Sequence, residues 1–197
     1  MRELDKLKKI LRPGRVYRRA DLEKYSKAVD RHLKLLVHEG ALEKLSGGLY
    51  YCPKTTVFGT APADDKKLVA AFLKSHKFLL TSPNAYNTLG VGTTQLYNET
   101  VVYNKKRHGT FTLGGRSFHF RMKPDFPAKL SPEFLLVDLI NNLDRLAENK
   151  ENVLKQVRKK ITALKGRALD RAVSSYGGER TKKFFALSSS TGTVAHG

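Results

Sequence analysis

The sequence predicts an α+β fold, and three patterns support that prediction. Apolar residues recur at helical spacing in the segments before Gly40. Two later stretches, residues 41–53 and 100–122, alternate apolar and polar residues around paired glycines, which is typical of antiparallel strands. From Ser131 onward helical spacing returns. We therefore expect helices with a small sheet first, then a mixed α/β region with a small antiparallel sheet, and a helical C-terminal part.

The first predicted elements are short. A helix of about ten residues is expected at the N-terminus. Its apolar face consists of Leu4, Leu7, Ile10 and Leu11. Pro13 and Gly14 end this helix, and residues 15–17 are expected to form a strand.

A longer helix is predicted from Lys27 to Glu39. Ser26 is a favourable N-cap, and Gly40 stands where a left-handed glycine ends a helix. The apolar stripe of this helix consists of Val29, Leu33, Leu36 and Val37. Its opposite face is cationic, with Asp30 at the edge, and consists of Lys27, Arg31, Lys34 and His38. A cationic helix face of this size fits the major groove of DNA.

A hairpin is predicted directly behind that helix. Residues 41–45 and 49–53 read as strands, joined by a turn at Ser46, Gly47 and Gly48. A short helix, a turn, a longer helix and such a hairpin, in that order, are typical of a winged helix-turn-helix, which we assign to residues 1–57. The residues expected to contact DNA are Arg18, Arg19, Ser26, Lys27, Arg31, Lys34, Lys44, Ser46, Gly47 and Gly48.

The charge of the chain favours a polyanionic partner. Lysine and arginine number 37 against 18 acidic residues, a net charge of +19. A basic helix face alone is usually only solvated, but its combination with the hairpin and this charge favours nucleic acid. No apolar run has the length of a membrane span and no signal-peptide pattern is present, so a membrane partner is not expected. The single cysteine, Cys52, fits a reducing cytoplasm.

A second domain is predicted over residues 66–187, after a linker rich in residues that disfavour helices. It is expected to contain a helix over 66–75, a strand over 78–81, a short helix entered at Ser82 and a three-stranded meander. The strands of that meander are residues 100–103, 109–113 and 116–122. In the last of them, alternation predicts that Phe118, Phe120 and Met122 are buried and that His119 and Arg121 lie on an exposed face.

Helices are expected from Ser131 to about Leu187, followed by a disordered tail over 188–197. The second of these helices has a basic outer side, formed by Lys155, Arg158, Lys159 and Lys160. Such a side is explained equally well by solubility and by a second contact with nucleic acid.

No pattern of catalytic or metal-binding residues is present. The six histidines lack ligand spacing, and one cysteine cannot complete a zinc site. The segment LGVGTT lacks the third glycine of a dinucleotide fingerprint and the lysine of a P-loop. We therefore expect no enzymatic activity, no bound metal and no cofactor.

Several segments occur in an order that is typical of one family. They are KAVDRHLKLLVHEGALEKLSGGLYYCPK, TSPNAYNTLGVGTTQ, the strand SFHFRM and the helical LLVDLINNLDRLAEN. In this order the chain, over nearly its whole length, resembles the AbiEi-type antitoxins of bacterial abortive-infection toxin–antitoxin systems, which act in phage defence.

The resemblance implies an N-terminal winged helix that binds inverted repeats in the promoter of its own operon and represses transcription. It also implies a C-terminal α/β domain needed to counteract a nucleotidyltransferase-like toxin, without a stable complex between the two proteins. A monomer that cooperates on DNA is expected.

Two alternatives remain open. A winged-helix transcriptional regulator, with a ligand-sensing or oligomerisation domain and no toxin partner, fits the same residues. So does a nucleic-acid enzyme, such as a nuclease, that uses the second domain. Binding to RNA instead of DNA is also compatible with the charge.

Overall fold

The computed structural model describes residues 2–164 and 166–190, and it is a mixed α+β protein, as predicted. Its chain folds into two compact units. The first ends at Lys77 and also takes Gly109–Phe118, and the second takes Phe78–His108 and the described residues from His119 onward. The first unit therefore includes segments that lie beyond residue 57.

The first unit begins with three helices and a three-stranded sheet. Its helices are α1 (Glu3–Ile10), α2 (Arg19–Leu22) and α3 (Val29–His38). Its strands are β1 (Val16–Arg18), β2 (Glu43–Ser46) and β3 (Leu49–Tyr51). The sheet is antiparallel with β3 in the centre, so the predicted strand near residue 16 does pair with the hairpin.

Further strands and one more helix complete the first unit. A second hairpin consists of β4 (Lys54–Thr56) and β5 (Gly59–Ala61), and it precedes helix α4 (Asp65–Leu73). The carboxylate of Asp64 caps α4 by accepting from the backbone N–H of Lys67. Strand β8 (Gly109–Leu113) and the first residues of β9 (Arg116–Met122) also belong here.

One core cluster of the first unit is mostly aliphatic. It is built from the apolar faces of α1, α2 and α3 together with the strand ends, and consists of Leu7, Leu11, Leu22, Val29, Leu33, Leu36, Leu42 and Cys52. The predicted apolar stripe of the longer helix is confirmed, because Val29, Leu33 and Leu36 are buried and Val37 is half-buried.

The described residues of the second unit form strands and helices. The strands are β6 (Phe78–Thr81), β7 (Thr100–Asn104) and the later part of β9. A 3-10 helix, Pro83–Leu89, follows β6 and is capped by Ser82. The helices are α5 (Pro132–Asn142), α6 (Lys150–Leu164), α7 (Arg167–Tyr176) and α8 (Glu179–Ser190).

Helix α5 is central to the second unit, because side chains on nearly all of its faces are buried. Phe134 packs edge-on against Tyr176 of α7, with ring centroids 5.3 Å apart. Asp138 and Asn142 are the polar residues of α5 that are carried into this core.

Several details differ from the sequence predictions. The strand order is β6-β7-β9-β8, so β9 lies between β7 and β8 and the strands do not form a meander. Met122 is exposed rather than buried, because it is the last residue of β9. Helix α8 continues through Ser190, so residues 188–190 of the predicted tail are helical, and residues 191–197 lie outside the described residues. Another difference concerns the start of α3 and is described below.

Within the described part of the chain, no helix is long and apolar enough to cross a membrane.

Candidate nucleic-acid interface

Helix α3 has a cationic outer face. Arg31, Lys34 and His38 are exposed, as is Lys27 just before the helix, while Leu33 and Leu36 on the opposite side are almost fully buried. Among the residues that the structure describes, Lys27, Arg31 and Lys34 take part in no salt bridge. These three cations can therefore reach a ligand without loss of core packing or of an internal ion pair. Leu35 adds an apolar side chain to the exposed side, with 42 % of its surface accessible.

Ser26 lies beneath this face rather than on it. Its side chain is buried, and its hydroxyl lies 2.7 Å from Nδ1 of His32 and donates to Glu3 at 3.2 Å. The same hydroxyl accepts from the backbone N–H of Ala28, so it closes a turn before the helix. Consequently α3 begins at Val29 with Ala28 as N-cap, and the predicted cap at Ser26 is wrong. Gly40 does take the predicted left-handed conformation, with φ of +74°.

Glu3 connects the start of α1 to the start of α3. Its carboxylate accepts from the Ser26 hydroxyl and from the backbone N–H of Lys27 at 3.1 Å. These bonds fix the turn that presents Lys27. The Lys27 side chain itself remains in solvent.

Arg18 and Arg19 are both held in ion pairs. Arg18 donates through Nε and Nη2 to the two carboxylate oxygens of Asp21, at 2.9 and 2.6 Å. Arg19 donates to Asp30 and, through Nη1, to Glu23 at 2.7 Å. The hydrogen bond from Arg18 lowers the pKa of Asp21. Part of the positive charge of both arginines is therefore already neutralised within the protein.

The hairpin turn after α3 is anchored at both sides. The carbonyl of Gly48 accepts from the backbone N–H of Arg19 at 2.8 Å. The carbonyl of Leu45 accepts from the backbone N–H of Gly114 at 2.9 Å. Gly114 belongs to the β8–β9 turn, which the sequence analysis placed in another domain. Lys44 and Gly47 are exposed beside this turn, and Ser46 is half-buried. The turn is thus a fixed projection of the first unit.

The second unit contains a buried polar cluster around Asp138, which is fully buried. Its carboxylate accepts from the hydroxyls of Tyr86 and Tyr103, each at 2.8 Å, and from Nζ of Lys123 at 3.0 Å. Asn142 donates to both tyrosine hydroxyls at 3.3 Å. Burial, followed by the charge of Asp138, raises the pKa of both tyrosines.

Arg121 extends this polar cluster. It donates to the side-chain oxygen of Asn142 and to Glu99, each at 3.0 Å, and its side chain is only 20 % exposed. The expectation that Arg121 lies on an exposed sheet face is therefore wrong. The adjacent cavity, of about 20 Å³, has room for about one water molecule. Because the cluster is internally satisfied and the cavity is so small, we assign the cluster to the core and not to a ligand site.

The sequence contained a weak signal for this cluster. Asp138 interrupts the apolar run LLVDLI, where an acid at helical spacing has to be buried or paired. Its partners come from segments 35 and 52 residues away, and no local pattern identifies them.

Among residues 2–164 and 166–190, no group of three or more His, Cys, Asp or Glu side chains is placed to hold a metal ion. Comparison with protein-family models, with curated proteins and with solved structures finds no match to this chain.

Proposed function

We propose that this chain is a cytoplasmic DNA-binding antitoxin that represses the promoter of its own abortive-infection toxin–antitoxin operon. The proposal assigns the N-terminal part to a winged helix-turn-helix. The order α1-β1-α2-α3-β2-β3, with β3 between β1 and β2, supports this assignment. In it, α3 is the recognition helix and the β2–β3 turn is the wing.

One observation carries the DNA-binding part of the proposal. Lys27, Arg31 and Lys34 are exposed on the side of α3 that faces away from buried Leu33 and Leu36. A recognition helix needs this separation, because its inner side must keep the domain folded while its outer side contacts phosphates and base edges. We expect base contacts from the first two turns of α3 and phosphate contacts from Lys44 and the backbone of the wing.

The antitoxin part of the proposal depends on the sequence resemblance alone. It assigns to the second unit an indirect antagonism of a nucleotidyltransferase-like toxin, without a stable complex. It also assigns to the chain an operator made of inverted repeats, which monomers occupy cooperatively. No catalytic step is assigned to the chain.

Binding to the promoter upstream of the gene tests the first part. Fluorescence anisotropy of the full chain should show that Arg31→Ala or Lys34→Ala weakens operator binding by about 1–3 kcal/mol if the residue reads a base. Lys66→Ala, an exposed lysine of α4, is the matched control and should bind like the wild type. Unchanged affinity in both α3 variants would reject the assignment of α3.

Co-expression with the product of the neighbouring gene tests the second part. The wild-type chain should restore growth if that product is a toxin. Promoter binding without rescue would favour the plain transcriptional regulator. Cleavage of DNA or RNA by the purified chain with a divalent metal would instead favour the nuclease.

A further inference from the structure

The first unit contains an open cleft, separate from the outer face of α3. Its volume is about 730 Å³, within the range of about 300–1,000 Å³ that small-molecule sites occupy. The cleft is lined by β1 and the residues that follow it, and by residues of α4. Its lining also includes the apolar side chains of Ile10, Val16 and Leu22.

The charge of the cleft is predominantly positive. Its lysines and arginines are Arg15, Arg18, Lys24, Lys67 and Lys74. Among the described residues that line it, Asp21 is the only carboxylate, and Arg18 pairs with it. Within the described part of the chain, the exposed Arg15, Lys24 and Lys67 form no salt bridge. Cations gathered in a concave surface repel one another and focus a positive field, so the cleft attracts a polyanion.

The side of α4 that lines the cleft carries a lysine and two small residues. Lys67, Ala70 and Ala71 occupy positions i, i+3 and i+4, which share one face of α4. Lys74 follows as the C-cap residue, in a left-handed conformation with φ of +52°. The small alanine side chains leave room for a ligand beside Lys67.

Two tyrosines line the same cleft. The hydroxyl of Tyr17 donates to the carbonyl of Ile10 at 3.2 Å and accepts from the backbone N–H of Arg12 at 2.8 Å, which fixes the ring. Tyr25 lies under the ammonium of Lys24, 5.1 Å from its ring centroid. Aromatic rings beside cations are the combination that binds the bases and phosphates of unpaired nucleotides.

We propose that this cleft is a second binding site, specific for nucleotide phosphates with an unpaired base. The ligand is either a free nucleoside triphosphate or a single nucleic-acid strand, which share this chemistry. The site is independent of duplex recognition by α3.

The test uses the full chain with two probes, ATP and a short fluorescein-labelled oligothymidylate. The cleft variant is Arg15→Glu with Lys67→Glu, and the control is Lys9→Glu with Lys66→Glu, which changes the net charge equally outside the cleft lining. Whichever probe binds the wild-type chain should bind the cleft variant at least about tenfold more weakly. This is the loss expected when charged hydrogen bonds are removed. The control should remain within about threefold of the wild type. If the cleft variant loses affinity for ATP, the ligand is a free nucleoside triphosphate. If it loses affinity for the oligothymidylate, the ligand is a single nucleic-acid strand.

Equal losses in the cleft and control variants would overturn the proposal, since they would show attraction by overall charge only. Absence of binding of either probe to the wild-type chain would also overturn it. If the charge reversal prevents folding, Arg15→Gln with Lys67→Gln should show a smaller loss in the same direction.

A variant of α3 separates this proposal from that of promoter binding. Arg31→Ala with Lys34→Ala should bind both probes like the wild type, whatever happens to its affinity for the promoter. Loss of the probes in this variant, with retention in the cleft variant, would assign the probes to α3 and reject the cleft.

Discussion

Arg19 holds Asp30 by a bidentate contact, in which Nε and Nη2 donate to the two carboxylate oxygens at 2.7 Å each. The contact joins the first residue of α2 to the first turn of α3 and lowers the pKa of Asp30. The negative charge of Asp30, at the edge of the cationic face of α3, is therefore balanced by Arg19.

Replacement of Asp30 by asparagine should strengthen binding to duplex DNA. The change removes a negative charge beside Arg31 and leaves Arg19 with Glu23 as its remaining carboxylate. We expect an affinity about two- to fivefold higher. The slope of log K against log salt should steepen by about 0.9 if Arg19 gains one phosphate. Anisotropy titrations at several salt concentrations measure both, with the exposed Asp125→Asn as control. Weaker binding would show instead that the contact is needed to position α3.

Ser26→Ala and Lys27→Ala should affect different properties of the protein, although the residues are adjacent. The first should lower stability, and the second should lower DNA affinity. Ser26→Ala leaves the hydrogen-bonding groups of Glu3 and His32 without their buried partner, so it should cost about 1–3 kcal/mol of unfolding free energy. Lys27→Ala should change stability by no more than about 0.5 kcal/mol, yet weaken DNA binding. Urea unfolding and anisotropy on the same samples test this. Equal stability of the two variants would contradict the buried role of Ser26.

The Asp138 cluster should contribute strongly to stability. Asp138→Ala removes the partner of Lys123 and of two tyrosine hydroxyls, and we expect a loss of about 3–5 kcal/mol. Tyr103→Phe removes one hydrogen bond and should cost about 1 kcal/mol. Denaturant unfolding measures both, and Asp125→Ala provides an exposed acid for comparison. A small effect of Asp138→Ala would mean that water or another group replaces the carboxylate.

Acid should destabilise the first unit in part through Asp21 and Asp30. The pKa of each is lowered by its arginine, so each stabilises the fold above the unfolded value of about 3.9. That contribution is lost as the pH falls through the lower, folded pKa. The fall in melting temperature between pH 5 and more acidic values should therefore be shallower in Asp21→Asn with Asp30→Asn than in the wild type. An identical fall in both proteins would show that these pairs do not matter for stability.

Features set by neighbouring residues were predictable from the sequence. Strands β6, β8 and β9 have the predicted bounds, since alternation and turn glycines define them locally. The face of α3 was also correct, because a 3.6-residue period separates Arg31 from Leu33.

Features that depend on distant partners were not predictable in this way. The strand order follows from pairing across long loops, and the burial of Ser26 depends on Glu3, 23 residues earlier. The cationic cleft joins residues near position 20 to α4, although each of its lysines taken alone resembles an ordinary surface residue.

The first unit is built from two separate stretches of chain, one ending at Lys77 and one over Gly109–Phe118. No single truncation can therefore excise it intact. A fragment that stops near residue 66 loses α4 and the peptide whose Gly114 bonds to Leu45. Failure of such a fragment to bind a promoter would report incomplete folding, so the activities of this protein have to be dissected by point substitution in the uncut polypeptide.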